Sequence, residues 1–331
     1  MKGKKRSFFT TFFSCFMVAA LTTTAYSSAP AKKEEPKSAI VVAAFGTTVP
    51  EALVGITNIV DQIRKAYPHT EVRLCFTSNI IRKVWKKRQA EADKWLKMGI
   101  PEEVLYVKNI IAVLGDLLED GYNDIIVQPT HMFFMEQSYD LQQYVNAINS
   151  IETKKERWKP FHHVVMGRPA LGAPGHKVNY HDDIKVAIKT LENDAKHAEK
   201  KQAALVYMGH GNEHWATSIF EETARAMNKA YPEVKTVIGV VEGEPTVEHV
   251  AKELKAAGVK KVVLKPFMIV AGDHAVNDMA SDEEDSWKTV LSKEGFEVET
   301  VLEGLGEKKE FASIFVKHIA EVAEENHIKL N

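Results

Sequence analysis

Two histidines each follow an apolar run that reads as a buried strand, and imidazole in such a place can bind a metal or move a proton near neutral pH. His210 stands in Gly209-His210-Gly211-Asn212, after Ala203-Ala204-Leu205-Val206-Tyr207-Met208. His274 stands in Ala271-Gly272-Asp273-His274-Ala275, after a run from Val262 to Val270. Between them, Glu242 ends the run Val237-Ile238-Gly239-Val240-Val241, with Glu244 as a rival carboxylate. Ligands of open α/β sheets bind beyond the carboxyl ends of the strands. The two imidazoles are therefore expected to face one another across a metal-sized gap, with Glu242 nearby. A His/Glu/His set suits a borderline divalent cation and leaves coordination positions open for chemistry. The glycines beside His210 read as a tight turn that can approach a ligand. Asp273, Asn277 and Asp278 are candidates to orient the His274 ring.

Other residues admit two readings. His131, in Pro129-Thr130-His131-Met132-Phe133-Phe134-Met135-Glu136, is either a satisfied core or cleft histidine or a contact for a flat aromatic ligand. The run Arg82, Lys83, Lys86, Lys87, Arg88 is either a solvated helix face or a partner for a polyanionic substrate. Gly46-Thr47-Thr48 lacks the further glycines of a dinucleotide fingerprint and the Gly-Lys of a phosphate loop. Cys75 lies inside a strand-like run and reads as buried rather than reactive.

The elements that position these residues repeat. Ile40 to Gly46 aligns with Ala203 to Gly209, Lys65-Ala66-Tyr67-Pro68 with Lys229-Ala230-Tyr231-Pro232, and Gly121 to Pro129 with Gly258 to Pro266. Three anchors in one order indicate internal duplication. Each half reads strand, helix, strand, helix, strand, and the near-continuous apolar strands suit a parallel sheet covered on both faces. The expected fold is α/β: two similar doubly wound parallel-sheet domains facing across a cleft. The first spans 38–168, with a helical insertion at about 80–104 that carries Trp85 and Trp95. The second spans 169–331 and carries the metal site, and its last helix is expected to pack back on the first. Thr48-Val49-Pro50-Glu51 has capping-box form before the first helix, and Asp182 to Lys200 reads as one further helix.

The N-terminus is read as a targeting segment. Lysines and Arg6 precede an apolar stretch from Ser7 to Ala20, and small residues follow at Ala25, Ser27 and Ala29. This predicts a signal peptide over 1–28, a polar tether over 29–37 and a periplasmic product with no stable membrane span after cleavage. A formal net charge of −2 over 331 residues gives no basic surplus for a nucleic-acid partner.

The chain resembles the anaerobic-type cobalt chelatases of cobalamin biosynthesis, the CbiK family of class II tetrapyrrole chelatases. The resemblance rests on Val270 to Asp282, continuing to Asp285-Ser286-Trp287-Lys288, and on Met208-Gly209-His210-Gly211. Phe76-Thr77-Ser78, Ile81-Arg82-Lys83 and Gly304-Leu305-Gly306-Glu307 support it. It implies insertion of Co²⁺ into sirohydrochlorin, with His210 and His274 catalytic or metal-binding and Glu242 the third ligand. Fe²⁺ and Ni²⁺ are alternative metals. Family members can carry an acid where this chain has Gln137: either the adjacent Glu136 substitutes, or that carboxylate's role is absent here. Arg82, Lys83 and Arg168 are expected at the rim against the macrocycle's carboxylates. Further expectations are contact of His131, Glu136 and Gln137 with the substrate, and a homo-oligomer. One competing reading is an exported metal or haem carrier with axial ligands from His131, Met132 and Met135. Another is a metal-dependent hydrolase.

Overall fold

The computed structural model describes residues 36–331. The expected signal peptide and nearly all of the tether lie outside the described residues. The first half runs β1 (Ser38–Ala44), α1 (Leu53–Ala66), β2 (Glu71–Phe76), α2 (Asn79–Arg88), α3 (Ala92–Lys97), α4 (Glu102–Leu105), α5 (Ile110–Glu119), β3 (Asp124–Pro129), α6 (Glu136–Asn149) and β4 (His163–Met166). Helices α7 (Tyr180–Lys189) and α8 (Glu192–Lys200) lead to the second half. That half runs β5 (Ala204–Gly211), α9 (Ser218–Ala230), β6 (Thr236–Glu242), α10 (Val247–Ala256), β7 (Lys261–Pro266), a π-helical turn (Ala275–Met279), α11 (Trp287–Lys293), β8 (Glu297–Thr300) and α12 (Lys309–Glu325).

Two all-parallel four-stranded sheets result, ordered β2-β1-β3-β4 and β6-β5-β7-β8. The identical order is what a duplicated α/β unit gives. In β1, Ile40, Val41 and Val42 are all fully buried, because helices cover both faces of the sheet. The duplication extends to a helix stop. Tyr67 ends α1 at φ −128°, ψ 67°, and Tyr231 ends α9 at φ −128°, ψ 68°, each followed by a proline that cannot continue the helix.

Each half holds one strand more than the sequence reading gave. β4 and β8 are four residues long, at sheet edges, and only partly buried, so neither shows a sustained apolar run. The capping box at Thr48 does not form. Helix α1 begins at Leu53 after Ala52, with no side-chain cap, and Thr47 Oγ1 instead accepts a hydrogen bond from Val49 N–H. The helix expected over 182–200 is two, broken at Thr190 and Leu191, where Leu191 turns fully into the core.

One apolar cluster joins the halves. It includes Ile40 and Ile63 of the first, Leu205 and Phe267 of the second, and Phe311 and Phe315 of α12. Helix α12 buries Phe311, Phe315 and Ile319 at i, i+4 spacing, one stripe of an amphipathic helix. Its approach to α1 is fixed by polar contacts: Asn58 Nδ2 donates to the Gly306 carbonyl at 2.7 Å, and Gln62 Nε2 to the Lys309 carbonyl at 3.1 Å. Burial of each phenylalanine contributes about 1.5–3 kcal/mol.

Candidate metal centre

His210 is the penultimate residue of β5, not part of a turn. Gly211 pairs in register with Glu242 where β5 and β6 end together. Only glycine fits there: its φ is +78°, and a Cβ would lie 2.0 Å from the Glu242 carbonyl oxygen. A Cβ on Gly209 would lie 2.7 Å from the Phe220 ring. The two glycines thus let the strand end press against β6 on one side and α9 on the other. This puts the His210 imidazole beside the Glu242 carboxylate, with Nδ1 and Oε2 3.8 Å apart.

His274 arrives from β7 through a loop that is fastened on several sides. Phe267 N–H donates to the Met208 carbonyl at 2.7 Å, and its buried ring packs on Tyr207 and Phe220. The carbonyls of Met268 and Ile269 accept from Leu305 and Gly306 N–H at 2.8 and 2.9 Å. Gly55 of α1 lets the loop approach, since a Cβ there would meet the Ile269 carbonyl oxygen at 2.5 Å. The π-helical turn follows at once, and such turns concentrate at functional sites. His274 Nδ1 donates to Asp278, four residues on, at 2.5 Å. Of the three polar neighbours expected to orient this ring, Asp278 does so, while Asn277 Nδ2 donates to Asp273 at 3.0 Å.

The rings of His210 and His274 lie 4.8 Å apart, centroid to centroid, at 90°. The side chains of His210, Glu242 and His274 are 42%, 41% and 38% exposed, so an ion in solution can reach them. Among the described residues, no three His, Cys, Asp or Glu side chains are placed to hold a metal ion together, and the expected metal-sized gap between the two imidazoles is closed by their contact. The two imidazoles rest edge to face on each other, and joint ligation requires them to swing out of that contact. Their tautomers already suit it. His210 Nδ1 lies 3.1 Å from the Gly211 carbonyl, which can only accept, and His274 Nδ1 faces a carboxylate. In the neutral rings both protons sit on Nδ1, leaving both Nε2 lone pairs free.

The other candidates separate clearly. Glu244 is turned away, its Oε2 2.6 Å from His249 Nδ1. Glu136 opens α6, and its Oε2 accepts from Asn212 Nδ2 at 3.1 Å, two residues beyond His210. Gln137 Oε1 lies 3.5 Å from Thr77 Oγ1. Lys83 is exposed. Arg82 is not free at a rim, because its guanidinium donates to the carbonyls of Phe76 and Thr77 and to Asn79 Oδ1. Arg168 is a clear correction. It is buried in ion pairs with Asp183 at 2.7 Å and Glu321 at 2.6 Å, where it cannot meet a substrate carboxylate. Arg88 packs its guanidinium over the rings of both Trp85 and Trp95, 4.3 and 4.4 Å from their centroids.

His131 is 9% exposed, and its Nδ1 lies 2.8 Å from Ser138 Oγ. Burial pushes its pKa down to about 4, so the ring is neutral at physiological pH. Met132 and Met135 pack against the core cluster, an arrangement poorly suited to an open haem face. Cys75 is fully buried, and desolvation pushes its thiol up to about 12, which leaves it unreactive. A cavity of about 470 Å³ opens elsewhere, among Asp194, Lys265, Glu303 and Lys308, and shares no residue with the histidine centre. Of the lysines that line it, Lys265 and Lys308 are already paired with Asp194 and Glu303, at 2.6–2.9 Å. Sequence reasoning missed the role of Asn212 and the pair Trp215 and Tyr139, while Phe134, read there as an aid to contact with a flat aromatic ligand, does lie beside Trp215. The Gly-Asn step after β5 was the available signal, since asparagine there readily caps the following backbone N–H groups.

The family model for cobalt chelatase (CbiK) matches residues 38–324. The chain belongs to the CbiK cobalt chelatase family. It is 29% identical over 280 residues to the sirohydrochlorin cobaltochelatase CbiKC of Nitratidesulfovibrio vulgaris, covering 85% of this chain and 88% of that one. It is 27% identical over 283 residues to the sirohydrochlorin cobaltochelatase of Salmonella typhimurium, covering 85% and 94%. The solved structure of SirB from Bacillus subtilis with Fe³⁺ shares the fold, with TM-score 0.56 and 13% identity over 89% of this chain and 100% of that chain. The two parallel-sheet domains are those of the duplicated class II chelatase fold, and the chain is a metal chelatase by family. No helix among the described residues is long and apolar enough to cross a membrane.

Proposed function

We propose that this protein is a sirohydrochlorin cobaltochelatase, which inserts Co²⁺ into sirohydrochlorin and releases two protons. One observation carries the reading: the His210 ring lies 4.8 Å from that of His274 and its Nδ1 3.8 Å from the Glu242 carboxylate, at neighbouring strand ends. The curated relatives named for that reaction extend over most of the chain.

The chemistry follows from the substrates. Co²⁺ replaces two pyrrole N–H protons, so the site must deliver a cation and accept protons in one place. With Nδ1 committed to Gly211 and Asp278, each imidazole offers Nε2 as a ligand to the incoming metal or as a base toward an N–H. Imidazole and carboxylate hold Co²⁺ without the soft grip of thiolates, and so can release it to the macrocycle. Fe²⁺ and Ni²⁺ are borderline cations of the same kind and are expected as slower or competing substrates. Asp278, as acceptor of Nδ1–H, makes His274 a better donor. Glu242 supplies the negative charge that draws in the divalent ion.

Mixing the purified protein, Co²⁺ and sirohydrochlorin should accelerate the absorbance change of metallation above the uncatalysed rate. Folded protein that gives no acceleration with any of the three metals contradicts the proposal. We also propose export to the periplasm, on the basis of the basic and apolar segments over residues 1–20. The mass of the protein recovered from its native host tests this: loss of about the first 28 residues supports it, and an intact N-terminus contradicts it.

A further inference from the structure

The chain leaving His210 carries an indole that the metal chemistry does not use. Trp215 lies on the connection from Asn212 to Thr217, which is tied down on three sides. Asn212 Oδ1 accepts from the backbone N–H of His214 at 2.8 Å and of Trp215 at 2.9 Å, and its Nδ2 donates to Glu136 Oε2 at 3.1 Å. Thr217 Oγ1 donates to the Glu244 carbonyl at 2.5 Å. At Gly243, a Cβ would lie 3.0 Å from the Asn212 carbonyl oxygen, so the connection hugs the end of β6. Trp215 is thereby fixed beside the strand ends that carry His210 and Glu242, and the Glu136 contact binds it to the first half.

The indole does not disappear into a core. Its centroid lies 5.7 Å from that of Tyr139 and 6.5 Å from that of Phe134, both first-half residues. Trp215 nevertheless stays 36% exposed and Tyr139 45% exposed. Two large aromatic rings, held by their backbone and left partly bare, form a preorganised surface for a flat partner. The loop that presents Trp215 begins at the residues flanking His210, and Tyr139 meets it from α6 of the first half, which selects a planar macrocycle over an apolar peptide.

We infer that Trp215, with Tyr139 beside it, is a stacking surface that binds the tetrapyrrole plane and holds its centre toward His210 and His274. The inference rests on the chelatase reading, which supplies the occupant. Stacking on an aromatic face is worth roughly tenfold or more in affinity for a flat heterocycle. The Asn212–Glu136 hydrogen bond gives Glu136 a positioning role, because it sets where the first-half aromatics meet the indole.

The test is binding of metal-free sirohydrochlorin to the full protein, with Trp215→Phe and Trp215→Ala as variants. Affinity is read from the macrocycle's absorbance and, in parallel, from tryptophan emission, while Co²⁺ affinity and thermal midpoint are measured separately. Wild-type emission should be quenched on binding. Trp215→Phe should keep affinity within about threefold but show a smaller quench, because a ring remains while the nearest of the chain's five tryptophans is gone. Trp215→Ala should bind the macrocycle about tenfold more weakly with Co²⁺ affinity unchanged. Wild-type affinity in Trp215→Ala, or an undiminished quench in Trp215→Phe, overturns the inference while leaving the chelatase reading intact. A wild-type protein that binds no macrocycle overturns both. If Trp215→Ala fails to fold, the Trp215→Phe quench decides.

Discussion

The imidazoles of His210 and His274 meet edge to face at 4.8 Å, although two helices and two strands intervene along the chain. Parallel strand order produces this meeting. β5 lies between β6 and β7, so whatever follows the carboxyl ends of all three is brought to one edge of the sheet.

Replacing either histidine by alanine should therefore remove the reaction without unfolding the protein. We expect Co²⁺ insertion to fall by about a hundredfold or more in each single variant, the range set by loss of a proton acceptor. Both rings are part-exposed at the ends of elements, so the denaturation midpoint should move little. Steady-state metallation and a denaturant melt of the same preparations check the two halves of this expectation.

The Asp278 contact gives a sharper expectation. Asp278→Ala frees the Nδ1 side of His274 and should reduce metal affinity or turnover by about 10–100-fold. Asn277→Ala is the control, because Asn277 reaches Asp273 and not the ring. Calorimetric titration with Co²⁺ separates the two, and equal losses in both would mean that the Asp278 bond is only structural.

Glu242 and Glu244 should behave differently despite their spacing. Glu242→Gln keeps the shape but removes the charge near His210, so Co²⁺ binding should weaken while some turnover persists at saturating metal. Glu244→Gln should leave metal binding unchanged, since that carboxylate faces His249. The apparent Km for Co²⁺ in the two variants is the measurement.

The parts of this site legible in the sequence were those written in local patterns. Apolar runs ending in Gly209-His210 and Gly272-Asp273-His274 mark strands followed by open loops, and repeated Lys-Ala-Tyr-Pro segments mark equivalent helix ends. The internal symmetry made the meeting of His210, Glu242 and His274 legible, but other side-chain contacts between distant segments were not. Nothing around Asn212 announces Glu136, 76 residues away, and nothing around Arg168 announces that Asp183 and Glu321 enclose it. A charge in a sequence looks solvated until its partners are known. The short edge strands β4 and β8 escaped for a related reason: hydrogen bonding to a neighbour defines them more than their own hydrophobicity.

His131 should impose an acid sensitivity on the fold. Burial holds its folded-state pKa at about 4, below the ordinary 6.5, so between those values the unfolded chain binds a proton that the native chain refuses. Stability contributed by the neutral ring is therefore complete above about pH 6.5 and declines as pH falls toward 4, by up to about 3 kcal/mol. His131→Leu should flatten that slope. It should also cost about 1–3 kcal/mol at pH 7.5, because buried Ser138 loses its partner. Urea denaturation at a series of pH values shows both effects.

The central claim is that one ion sits between His210, His274 and Glu242. An anomalous difference map at the cobalt edge, from crystals soaked in Co²⁺, tests it most directly. The account predicts a peak within about 2.0–2.3 Å of Nε2 of both histidines and of a Glu242 oxygen, with the rings turned out of their edge-to-face contact. A strong peak elsewhere, with the two rings still packed on each other and no density between them, would contradict it.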